Sequence, residues 1–186
     1  MTLRSDRHIS QESIEDADFL AQGILEPLEA QLGSVAFVCF WNCRTTPLGL
    51  NGLATAPILK KYQEPIDDID VLIIVKSIIS GACVVKTNLQ HLIQKNQPSQ
   101  ILIVAPVIYE KAEENLRREF ELAITEMFRF LYLAKDSDRT AEGEVIPGIG
   151  GMIYERLGLN GQTDKNEYVP RIVKDRRARF CSSILG

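Results

Sequence analysis

Asp70-Val-Leu-Ile-Ile-Val-Lys-Ser-Ile-Ile-Ser-Gly-Ala-Cys83 is an apolar run that empties into a loop of small residues. Val71 to Val75 contains only Val, Leu and Ile, with no polar alternation. Such a run reads as a strand buried on both faces, the habit of parallel sheets. From Ser80 to Gln94 the pattern changes, and Val84, Leu89, Leu92 and Ile93 can share one face of a helix. Strand, glycine-bearing loop and helix in this order put the loop at the carboxyl end of a strand. Ligands of open α/β sheets bind at that edge.

The same alternation continues outward. Val35-Ala-Phe-Val-Cys-Phe-Trp41 is a second apolar run. Gln100 to Ala105 is a third, which Pro106 is expected to end. Tyr109 to Ile124 predicts an amphipathic helix with Glu113, Glu114, Arg117 and Arg118 outward, and Phe128 to Ala134 a further strand. Ser10 to Leu32 predicts a first helix, carried by Ile14, Phe19, Leu20, Ile24 and Leu28. Ser10 or Ser13 would cap it, Pro27 would bend it and Gly33 would stop it. Thr45 to Gly52 reads as a turn and Leu53 to Lys61 as a short helix. The expected fold class is α/β, a parallel sheet flanked by helices on both faces. Right-handed crossovers then bring the loops after Val75, Val104 and Ala134 to one cleft.

Composition narrows the function classes. The 186 residues suit a single domain, 1–186, with a helical segment over 1–33 and a polar, basic tail over 161–186. A net charge of −4 gives no global attraction to nucleic acid or to an anionic membrane. No apolar run is long enough to span a bilayer, and the polar start lacks a signal segment, so a cytoplasmic setting is expected. Cys39 and Cys83 lie in apolar runs, and Cys43 has no clustered His or third Cys beside it. No metal site is expected from them. Arg171, Lys174, Arg176, Arg177 and Arg179 make the tail basic. They lack aromatic interleaving, so a solvated tail or a subunit arm is the expected role.

A second dense segment lies at Val145-Ile-Pro-Gly-Ile-Gly-Gly151, followed by Gly158. Glycines this close together let a backbone approach another group closely. They are also ordinary turn residues.

Taken in order, these pieces resemble the uracil phosphoribosyltransferases. Val71 to Cys83 resembles the family's phosphoribosyl-pyrophosphate loop, where an apolar strand enters Asp-Pro-Met-Leu-Ala-Thr-Gly-Gly-Ser. Val104-Ala-Pro106 resembles the end of the family's next strand. Asp136 falls on the Asp preceding its uracil-binding hood. Gly143, Pro147, Gly148 and Gly150 match its Gly-Tyr-Ile-Val-Pro-Gly-Leu-Gly-Asp segment. The resemblance covers about residues 70 to 160, and the family's Arg-Ala-Gly-Leu-Gly and Gly-x-x-Arg-Asp-Glu segments have no counterpart upstream.

The resemblance implies a phosphoribosyltransferase-like fold with a small glycine-rich hood. It also implies transfer of ribosyl 5-phosphate to a pyrimidine base, with Mg²⁺ on the pyrophosphate, in a homodimer. Ser80, Gly81, Ala82 and Cys83 would hold the 5-phosphate on the amides that open a helix. Ser80 could equally be only an N-cap, and Gly81 only a turn. Val145, Gly148 and Gly150 would read the base through backbone groups, and Asp136 could hold ribose hydroxyls or a metal. Two family acids are missing, their places taken by Val75 and Gly151. An unpaired buried hydroxyl costs on the order of 1–3 kcal/mol, so catalysis should be impaired or altered. Lys76 is expected to be a solvated loop charge, and Asp136, Asp138 and Arg139 fit turn chemistry as readily as a site. Two readings follow: a divergent transferase, or a nucleotide- or phosphate-binding regulator on the same scaffold.

Overall fold

The computed structural model describes residues 8–32, 35–43, 55–65, 69–139, 145–146 and 157–185. Its centre is a seven-stranded sheet. The strands are β1 (His8–Ser13), β2 (Val35–Asn42), β3 (Ile58–Gln63), β4 (Val71–Val75), β5 (Ile78–Ile79), β6 (Gln100–Tyr109) and β7 (Phe128–Asp136). β1 lies between β2 and β4, parallel to both. β4 pairs with the first half of β6 and β5 with the second half, and β7 runs parallel along the other side of β6. Only β3 is antiparallel, against β2. The expected α/β sheet flanked by helices is thus present.

Two apolar layers sandwich the sheet, and the alternation of β2 shows how. Val38 and Phe40 point into one layer with Leu72, Ile74, Ile101 and Ile103, covered by α2 (Cys83–Ile93) through Val85, Leu89 and Leu92. Val35, Phe37, Cys39 and Trp41 point into the other, covered by α1 (Gln22–Leu32) and α6 (Arg171–Leu185). Burying a side chain such as Phe37 or Phe40 contributes about 1.5–3 kcal/mol.

The chain start departs from expectation. Residues 8–13 form a strand instead of helix, followed by a 3-10 turn over Ile14–Asp16 and a π turn over Ala17–Ala21 before α1. The buried stripe is Ile14, Ala17, Ala21 and Leu25, with Leu28 beside it, while Phe19 is 74% exposed. Two alanines carry the periodicity, so a reading weighted to large apolar residues shifts it. Ser10 and Ser13 are buried strand residues; the Ser13 side chain makes no cap hydrogen bond. Pro27 sits inside α1 and is exposed, whereas Gly33 and residues 44–54 lie outside the described residues.

Four further expectations change. Residues 58–63 are an edge strand, not a helix, with Leu59, Lys60 and Lys61 exposed. β6 passes through Pro106 to Tyr109. Pro106 falls where the ladder is already broken: β4 pairing stops at Val104, β5 pairing starts at Val107, and β7 pairs Ala105 and Val107 but not the residue between. A residue without an N–H is tolerated there. The helix expected over 109–124 is two short ones, α3 (Ala112–Arg117) and α4 (Leu122–Thr125), separated by a turn. The basic tail is helical as well. α5 (Gln162–Glu167) and α6 pack on the domain, with Lys165 and Arg176 buried.

Arg176 explains why α6 docks. Its guanidinium binds Glu64 through Nε (2.7 Å) and Nη2 (2.9 Å), and Glu29 through Nη1 (2.7 Å). Nη2 also donates to the Val35 carbonyl at 2.8 Å. A planar fork serves such multiple acceptors in a way an ammonium cannot. Asp18 accepts from the main-chain amides of Arg171 (2.9 Å) and Ile172 (2.8 Å), serving the otherwise unpaired first amides of α6.

Candidate functional site at the carboxyl edge

Parallel pairing brings the carboxyl ends of β1, β4, β5, β6 and β7 to one edge of the sheet. Ile79 pairs with Ile108, which pairs with Lys135, and Tyr109 pairs with Asp136. Ser80, one step beyond Ile79, and Asp136 therefore end at the same level of this edge, on opposite sides of β6. Two candidate site positions distant in sequence are brought together here.

The loop before α2 differs in detail from the expectation. α2 starts at Cys83, three residues later than the sequence suggests, and Ala82 stands at its N-cap with no side-chain cap hydrogen bond. Ser80 is therefore not the cap; it lies in the loop, 4% exposed. Gly81 has open space where a Cβ would stand, so the free protein imposes no steric need for glycine. No side chain at Ala82 caps the first turn of α2, and the positive end of the helix dipole lies at this loop.

The end of β4 is filled differently. Val75 is buried and carries no acceptor. Lys76 is not a solvated charge: its residue is 9% exposed and its Nζ lies 2.8 Å from Asp16 Oδ2 and 3.2 Å from Glu15 Oε1. Its main-chain N–H donates to the Val104 carbonyl at 3.0 Å. Burial alone would push the Glu15 carboxyl up, but the charges of Lys76 and Lys165 outweigh it and hold it down at about 2. Burial alone would depress the Lys76 ammonium, but Asp16 and Glu15 raise it above its ordinary value. Glu15 and Lys76 stay charged at neutral pH.

Lys165 of α5 extends the cluster. Its Nζ donates to the Asn42 carbonyl at 2.8 Å and lies 3.7 Å from Glu15 Oε2. Asn42, at the end of β2, exchanges side-chain hydrogen bonds with Asn88 of α2 at 2.8 and 3.2 Å. Glu15, Asp16 and Lys165 escaped the sequence reading. The first two sat inside a presumed helix, and the third in a presumed tail. No local pattern announces an ion pair between residues about sixty positions apart; the adjacency of β1 and β4 creates it.

The remaining candidates divide. Asp136 ends β7, half-buried, and its carbonyl accepts from the Glu110 amide at 2.9 Å. Asp138 and Arg139 form β8, paired antiparallel with β9 (Val145–Ile146), so Val145 lies opposite Arg139. Gly143, Gly148, Gly150 and Gly151 lie outside the described residues. Asp70, at the start of β4, sits at the opposite edge. Cys39, Cys43, Cys83 and Cys181 are not in disulfides. Among the described residues, no group of three His, Cys, Asp or Glu is placed to hold a metal, and no helix is long and apolar enough to cross a membrane.

For Mg²⁺ the end of β4 is a poor host. The ammonium of Lys76 stands there, and it occupies one oxygen each of Glu15 and Asp16. No step is derived through that ion.

No protein-family model matches the sequence, and no curated protein matches it. Among solved structures the chain is similar to the AQ2163 protein from Aquifex aeolicus, with a TM-score of 0.57 and 12% identity over 91% of this chain and 69% of that one. It is also similar to the hypoxanthine-guanine phosphoribosyl transferase of L. donovani (TM-score 0.43, 12% identity, 69% of this chain and 66% of that one). A third is the adenine phosphoribosyltransferase from Thermoanaerobacter pseudethanolicus (TM-score 0.40, 12% identity, 72% of each chain). At 12% identity the likeness is one of fold: a parallel sheet flanked by helices.

Proposed function

We propose that this chain is a divergent phosphoribosyltransferase-like protein that binds the 5-phosphate of a nucleotide, UMP first, at Ser80 to Cys83. Ribosyl transfer to a pyrimidine would be poor or absent. The observation that carries this reading is the start of α2 at the carboxyl edge without a side-chain cap, with Asp136 on the far side of β6. Anions bind at such helix starts. The choice of a uracil-type ligand rests on the sequence segments at 71–83 and 143–158. Homodimer formation is part of the proposal and rests on the same resemblance.

Impairment follows from the end of β4. A ribose or pyrophosphate ligand there would meet Val75 and an ammonium already paired with two carboxylates. This favours the second reading, a nucleotide- or phosphate-binding regulator without turnover. One pair of measurements separates the readings. UMP and inorganic phosphate should raise the melting temperature, because a ligand of the native state stabilises it. Incubation with phosphoribosyl pyrophosphate, Mg²⁺ and uracil should give little or no UMP. Robust turnover would leave the transferase reading alone standing; no shift with any nucleotide or phosphate would remove both.

A further inference from the structure

The two long rims of the sheet are guarded unequally. β3, at one rim, carries Lys60 and Lys61 in its middle, both exposed. Charges there discourage another strand from pairing. β7, at the other rim, pairs only with β6 among the described strands. Its centre holds no charge: Leu131 (53% exposed), Tyr132 (37%), Leu133 (91%) and Ala134 all meet solvent, and Arg129, Lys135 and Asp136 lie toward its ends. An outer strand of 9 residues also presents unpaired main-chain N–H and C=O groups along its free side. The apolar layer under α1 and α6 stops short of this rim, since none of its described residues belongs to β6 or β7. Leu102 and Val104, which pair with Arg129 and Leu131, are accordingly only half-buried on that face.

The order of residues in β7 suits one occupant, a second copy of the same strand. A two-fold axis through the rim pairs the two strands antiparallel, and the residue on the axis faces itself. The run Phe128 to Ala134, apolar but for Arg129, has its midpoint at Leu131. Pairing about Leu131 lays this run on its own copy. Leu131 then faces Leu131, Phe130 faces Tyr132 and Phe128 faces Ala134, while Lys135 and Asp136 fall outside the run. Arg129 meets Leu133, which its apolar stem can cover. Moving the axis to Tyr132 sets Arg129 against Lys135 at both ends, and like charges directly opposite are unfavourable. The pairing also closes on itself: it uses both β7 rims and leaves outward the β3 rims with their lysines. We infer that two copies of this chain join their sheets through β7, antiparallel about a two-fold axis at Leu131. The inference gives the proposed homodimer its interface and does not depend on phosphate binding.

Sedimentation of the full chain at micromolar concentration should show a dimer. Leu131→Lys sets two ammoniums against each other on the axis and should raise the dissociation constant at least about tenfold. Cross-linking reads the register and covers the case in which Leu131→Lys does not fold. It is done in a Cys181→Ser background, which removes the exposed native thiol. Leu131→Cys should give a covalent dimer under mild oxidation, because directly opposed antiparallel residues have Cα atoms about 4.5–5.5 Å apart, within disulfide reach. Leu133→Cys, opposite Arg129, should give far less. A monomeric wild-type chain, a dimer indifferent to Leu131→Lys, no covalent dimer from Leu131→Cys, or equal cross-linking of Leu133→Cys overturns the assignment. A dimer that shows no response to UMP or phosphate would remove the phosphate reading and leave this interface standing.

Discussion

Lys76 donates to Asp16 across 2.8 Å at the carboxyl edge of the sheet, where the Asp16 side chain is 1% exposed. A lysine after β4 thus neutralises an acid after β1, and Glu15 shares the same ammonium. Removing one partner of such a group strands the others. Lys76→Met should cost about 3–5 kcal/mol, read as a lower urea midpoint, because two buried carboxylates lose their cation. An unchanged midpoint would mean that water already solvates this cluster.

The same cluster sets a pH dependence. The Glu15 carboxyl titrates at about 2 in the fold against 4.5 for its ordinary value. A depressed folded value means the unfolded chain binds the proton first, so the contribution is complete above pH 4.5 and is lost as pH falls toward 2. Urea titrations across that window should show falling stability, and Glu15→Gln should flatten part of the slope.

Arg176 tests the packing of α6. Arg176→Lys keeps the charge but loses the fork that spans Glu29, Glu64 and the Val35 carbonyl. A loss of about 1–3 kcal/mol in chemical denaturation is expected, since buried acceptors are left unpaired.

Gly81 separates folding from binding. Its Cβ position is open, so Gly81→Ala should change stability by no more than about 0.5 kcal/mol. The added methyl would nevertheless stand in the loop proposed to close on a phosphate. Stabilisation by UMP should shrink in this variant; full retention would place the phosphate elsewhere.

Leu133, 91% exposed on the outer strand β7, contributes little to the fold. Leu133→Lys should leave the melting temperature within about a degree and reduce association at high concentration, because charge blunts an exposed strand edge. Light scattering reads the second effect.

The strands β2 and β4 were legible because their apolar runs answer to burial in a sheet, whereas the equally apolar run of β7 lies on an outer strand with Leu131 to Ala134 exposed. β1 was not legible. His8-Ile-Ser-Gln-Glu-Ser13 lacks an apolar run, and its place in the middle of the sheet is fixed by backbone pairing to β2 and β4. β3 was misread because Ile58-Leu-Lys-Lys-Tyr-Gln63 is an edge strand with charges in solvent, where neither period dominates. At the site, the loop at 80–83 and its position after an apolar strand were legible from small residues alone. The fate of Lys76 was not, since its partners are fixed by strand order and not by neighbouring sequence.

The clasp between Asp18 and the first amides of α6 has a consequence for biosynthesis. β1 needs β2 on one side and β4 on the other, and the turn that follows it waits for residues 171 and 172. The nascent chain therefore carries an open turn beside the middle of its sheet until residues 171 and 172 have been made. During that interval, shielding by chaperones should matter more for this chain than for one whose first strand lies at the rim.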